Sequence, residues 1–131
     1  MGFEEIDHIS DRAVRVTAPT VVELFQQAAL AMYTIMDVQF SDVGSRRTFT
    51  LNAIDAESLL VNFLSELLSI AELENLAVRS IKLVFTDLHL QVEGMFFPIL
   101  KKVENIKAVT YAEMNIKHTD RGYETVIVFD L

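Results

Sequence analysis

The final residues of the chain, Val126-Ile127-Val128-Phe129-Asp130-Leu131, alternate like a strand and carry a carboxylate one place from the end. Held in a sheet, such a tail keeps the Asp130 side chain close to the main-chain carboxylate of Leu131. Hard oxygens so grouped attract Ca²⁺ or Mg²⁺, and a third ligand from elsewhere would complete a site. The plainer reading is an edge strand with a solvated aspartate. A second cluster, Asp7-His8-Ile9-Ser10-Asp11, sets two carboxylates and an imidazole within five positions. In a tight turn these groups can converge on an ion or on a catalytic proton. Equally, Asp and Ser bond their own backbone in turns, and the His is then a hydrogen-bonded structural residue. Lys107 is a lone cation at the head of an apolar segment. It could bind phosphate, pair with Asp11 or Asp130, or stand as a solvated edge charge.

The surrounding pattern says what must position these groups. Phe3–Ile6 and Ala13–Ala18 read as two short strands flanking residues 7 to 11. Thr20 followed by Glu23 forms a capping box and opens a helix to about Asp37, with Val22, Phe25, Ala29, Met32 and Met36 toward the core. Residues 38 to 45 read as a loop, with the basic pair Arg46-Arg47 at its flexible end, and residues 46 to 53 as a strand. Asp55 caps a second helix with the stripe Leu59, Leu60, Phe63, Leu64, Leu67, Leu68 and Ala71. A long hairpin follows, turning near Thr86-Asp87 and ending at Pro98. Lys107 to Lys117 is expected to form a strand, turned at Asp120-Arg121-Gly122 to pair with residues 123 to 131. The order is strand, strand, helix, strand, helix, strands. The expected class is α+β: two helices packed on one face of a largely antiparallel, mixed sheet.

Composition narrows the function. The length suits a single domain over residues 1–131. The net charge of −8 opposes a primary nucleic-acid binder, which neutralises phosphates with Lys and Arg. The absence of cysteine rules out disulfides and thiolate metal sites. The acidic start lacks the order of a secretory signal, and no apolar run reaches the roughly 20 residues of a membrane span. The expectation is a soluble cytoplasmic protein. There is no phosphate-cradling glycine loop, no Ser/His/Asp spacing and no metalloprotease His pair. Nothing in these residues identifies an independent enzyme.

Four blocks together resemble the archease family. Phe3 to Asp11 is similar to its opening strand ending in Asp-His-Thr-Ala-Asp. Thr20 to Met36 and Leu59 to Leu68 are similar to its two helices. Lys107-Ala108-Val109-Thr110-Tyr111 and Phe129-Asp130-Leu131 resemble its Lys-Ala-Val/Ile-Thr-Tyr block and its terminal Asp-Ile. The likeness runs from residue 3 to 131 and is weakest over residues 38 to 52. It implies an accessory factor of the RtcB-type RNA ligase, which joins tRNA halves after intron removal. Such a factor helps the ligase become guanylylated and regain activity between rounds. It touches nucleic acid only through the ligase and stays off the membrane. The resemblance also implies a divalent metal, usually calcium, with Mg²⁺ or Mn²⁺ as other occupants of the same oxygens. Its ligands would be Asp11, Asp130 and Leu131, with Lys107 beside them and Asp7 and His8 in the same turn. The chain departs from the pattern with Ile9 for Thr, Ala112 for a frequent His, and Ala18 for Gly. Two further readings are an independent metal-dependent hydrolase using Asp7, His8 and Asp11, and a chaperone-like interaction module.

Overall fold

The computed structural model describes residues 1–6 and 11–131. Nine strands and two helices follow in the order β1 (Gly2–Ile6), β2 (Arg12–Ala18), α1 (Val21–Met36), β3 (Gln39–Phe40), β4 (Ser45–Asn52), α2 (Ala56–Glu74), β5 (Leu76–Thr86), β6 (His89–Lys101), β7 (Ala108–Thr110), β8 (Lys117–Thr119) and β9 (Gly122–Asp130). The class is α+β, as expected. The strands divide into two sheets rather than one, and every pairing among the described residues is antiparallel. One sheet runs β1-β2-β9-β7, with β8 also on β9. The other centres on β6, which carries β3 and β4 on one side and β5 on the other. Alternation in a sequence marks a strand's buried face but not its partner, so the number of sheets is not encoded there.

Both helices bridge the sheets. α1 packs on β1, β2 and β9 of the first sheet and on β5 of the second; α2 packs on β4, β5 and β7. One apolar cluster joins them, with Phe25, Met32, Phe63, Leu64, Phe96 and Phe129 fully buried. The helix ends follow local chemistry. The Glu23 N–H donates to Thr20 Oγ1 at 3.1 Å, and the Ser58 N–H to Asp55 Oδ1 at 2.7 Å. Asp37 and Asn75 stop the helices in the left-handed conformation.

Three expectations are corrected. Pro98 does not end the hairpin: β6 continues to Lys101, because Pro98 needs only its carbonyl, which accepts the Ser41 N–H at 2.9 Å. Residues 107 to 117 are not one strand. They form β7 and β8, separated by a turn at Tyr111–Ile116 in which Glu113 takes a φ of 60°. Side chains replace the lost ladder there, since Ile116 N–H donates to Glu57 Oε2 and Asn115 N–H to Thr125 Oγ1. Arg46 and Arg47 lie on β4, not on a loop. Arg46 pairs with Glu93, and Arg47 grips Glu74 with two hydrogen bonds of 2.6 and 2.5 Å.

Three carboxylates are held below their ordinary range: Glu5 by Arg12, Glu74 by Arg47, and Asp55 by its bonds to Ser58. A lowered native value stabilises the fold above the unfolded-state value and loses that effect as pH falls through the native one. The stabilisation is therefore complete above about pH 4.5 and shrinks below it. Urea midpoints taken from neutrality down to about pH 3 should fall in that acid window. The Glu5→Gln, Glu74→Gln double variant should flatten the fall.

Candidate metal centre

The geometry of interest lies where β9 ends. β2 pairs with β9 so that Arg12 faces Phe129, and β7 pairs so that Ala108 faces Asp130. The β2–β9 ladder ends at the Arg12–Phe129 pair; Asp11 precedes Arg12 in the chain and Asp130 follows Phe129. On the other flank the Lys107 N–H donates to the Asp130 carbonyl at 2.8 Å. The connection before it is pinned as well, because Val103 and Glu104 both donate their N–H groups to the Met36 carbonyl at the end of α1. The sheet thus sets the Lys107 backbone beside Asp130, with Asp11 one residue beyond the paired end of β2.

Alternation along β9 fixes where the side chains go. Ile127 and Phe129 are fully buried in the core, and Leu131 packs against that core. Asp130 stands on the opposite face and is exposed, as is Lys107; Asp11 is half-buried. Arg12, next to Asp11 in the chain, is committed elsewhere. It grips Glu5 through two hydrogen bonds, one of them 2.7 Å, which raises Arg12 and lowers Glu5 from their ordinary values. Glu104 adds a further pull on Arg12.

Asp7 and His8 lie outside the described residues. Among the described residues no three Asp, Glu or His side chains gather closely enough to hold a metal by themselves. The expected set differs in kind, with two side-chain carboxylates and the main-chain oxygens of Leu131. An all-oxygen set of this sort fits Ca²⁺ or Mg²⁺ chemistry and no soft metal. Sequence reasoning missed the Glu5–Arg12 clamp and the role of Glu104. Folding the first hairpin by hand would have revealed the first, because Glu4-Glu5 and Arg12–Arg15 sit on its two arms. Arg15 accordingly meets Glu4 at 2.6 Å and Glu124 at 3.6 Å.

Two antiparallel sheets with two helices packed across both define an α+β protein. The chain belongs to the archease family, whose family model matches residues 3–131. It is 31% identical to the protein archease of Methanosarcina barkeri over 98% of this chain and 95% of that one. It is also 31% identical to the protein archease of Archaeoglobus fulgidus over the whole of both. The crystal structure of an archease from Thermotoga maritima, described as a possible chaperone, superposes with a TM-score of 0.76 at 21% identity. That match covers 98% of this chain and 96% of the other, and shows the shared fold. The solution structure of protein 1598 of Methanobacterium thermoautotrophicum gives a TM-score of 0.73 at 26% identity over 99% of both chains. No helix among the described residues is long and apolar enough to cross a membrane.

Proposed function

We propose that this protein is a cytoplasmic, metal-binding accessory factor that activates an RtcB-type RNA ligase in tRNA splicing and RNA repair. It assists guanylylation of the ligase and restores it between rounds, and is not itself an enzyme. The observation that supports the reading is the register at the end of β9, where Arg12 faces Phe129, Ala108 faces Asp130 and the Lys107 N–H donates to the Asp130 carbonyl. Asp11, Asp130 and a main-chain oxygen of Leu131 would hold a divalent cation, calcium first among them. Such an ion supplies positive charge for phosphate oxygens. The residues themselves set the oxygens in place and keep them accessible. Lys107 offsets part of their mutual repulsion. The exposed tip suits entry into the ligase's nucleotide pocket, where it would help order phosphates without forming a covalent bond.

The test is guanylylation of the cognate ligase with this protein added in sub-stoichiometric amounts. With RNA ends present to accept each guanylate and free the ligase for the next, the expected result is many guanylates turned over per ligase, against arrest after an early round without this protein. Unchanged turnover would overturn the proposal. Phosphoester hydrolysis by the purified protein with no ligase present would favour the hydrolase reading instead.

A further inference from the structure

A groove of about 400 Å³ runs between α1 and the outer edge of β5, away from the β2–β9–β7 ladder. Its floor holds Tyr33, only 6% exposed, whose hydroxyl oxygen accepts the Val78 N–H at 3.3 Å. The phenol proton has no acceptor among the described residues. Burial pushes the Tyr33 ionisation well up, so the group stays a donor at any ordinary pH. At the rim is Arg79, the extra residue of a β-bulge between Val78 and Ser80. Its guanidinium lies over two rings, 5.3 Å from the Phe40 centroid and 5.2 Å from that of Phe97.

The charge pattern makes Arg79 unusual. The chain carries 19 acids, and four of its six arginines, Arg12, Arg15, Arg46 and Arg47, each pair with a glutamate. Among the described residues no carboxylate pairs with Arg79. Two rings flank its guanidinium instead, which restricts the side chain before any ligand arrives. Leu30, Val38 and Ile81 supply an apolar wall to the same groove, and Leu30 is half exposed. Two donors in need of an acceptor, beside apolar surface, match a carboxylate on an apolar stem. Asp37 on the groove's margin and the net charge of −8 disfavour a polyphosphate.

We infer that this groove is a second binding site, which takes an Asp or Glu side chain of an apolar segment on a partner protein, held by Arg79 and the Tyr33 hydroxyl. The probe is 4-phenylbutyrate, titrated against the full chain by NMR. Saturable shifts are expected at the Arg79 Nε–H and at the Leu30 and Ile81 methyls. 4-Phenylbutyramide should produce none, and phenyl phosphate should bind more weakly than the carboxylate. Arg79→Met should weaken the carboxylate roughly ten-fold, the scale of a charge-assisted hydrogen-bond pair. Tyr33→Phe should weaken it several-fold. Arg79→Lys keeps the charge but loses the planar stack, and should fall between. Equal binding of amide and acid, tighter binding of the phosphate, unchanged affinity in Arg79→Met, or no saturable shift would each overturn the inference. The last of these would leave Arg79 as a cover for Phe40 and Phe97.

Discussion

Asp130→Ala should remove calcium binding and multiple-turnover activation of the ligase together. The side chain is exposed on the outer face of β9, and its backbone carbonyl keeps the Lys107 N–H whatever the side chain is. Stability should therefore change by no more than about 0.5 kcal/mol. Calcium affinity should fall by at least about two orders of magnitude, because ligand charge tunes such sites over several decades. Asp11→Ala should match it, since the proposal makes both carboxylates ligands of the same ion. Asp130→Asn retains an oxygen and loses the charge, so it should fall between. Calorimetry reads the affinity and guanylate counting reads the activation. Loss of activation with calcium affinity intact would separate ligase docking from metal. Unchanged values in both assays would dismiss the corner as a site.

Much of this corner could be read before any coordinates, and the reason is the strand period. Alternation over Val126 to Leu131 puts Ile127 and Phe129 inward and Asp130 outward, as observed, although Val128 on the Asp130 face is buried as well. The helices were equally plain, because Thr20 and Asp55 are side-chain caps and the apolar stripes recur at helical spacing. Long-range partnership is another matter. No local pattern says that β2 and β7 flank β9, or that β6 anchors a separate sheet. The link from Asp11 to Asp130 came from likeness to a family, not from spacing. The broken strand at Tyr111–Ile116 was hidden for a related reason. Its backbone groups are satisfied by Glu57 and Thr125, residues distant in the chain or across the sheet. Met95 is apolar by type yet 37% exposed, because its register position lies on the outer face of the second sheet.

Phe63→Ala should be among the most damaging single changes to stability, and it tests how independent the corner is. Phe63 is fully buried on α2, with its ring centroid 5.5 Å from that of Phe25 on α1. Phe25 in turn meets Phe85 of β5 edge-on at 5.0 Å. Those three rings tie both helices to the second sheet. Truncating the middle of α2 removes the transfer energy of a phenyl group and leaves a cavity, about 3–5 kcal/mol in all. Against a total of about 5–15 kcal/mol that is a large fraction, and the melting midpoint should drop by roughly 10–15 °C. Phe63→Leu should cost far less, because most of the volume is kept. Calcium affinity measured well below the midpoint should nevertheless match that of the parent. The corner is built by the β2–β9–β7 ladder and the Met36 carbonyl strap, none of which includes this ring cluster. A folded Phe63→Ala protein that no longer bound calcium would show that helix packing, and not the ladder, sets the distance between Asp11 and Asp130.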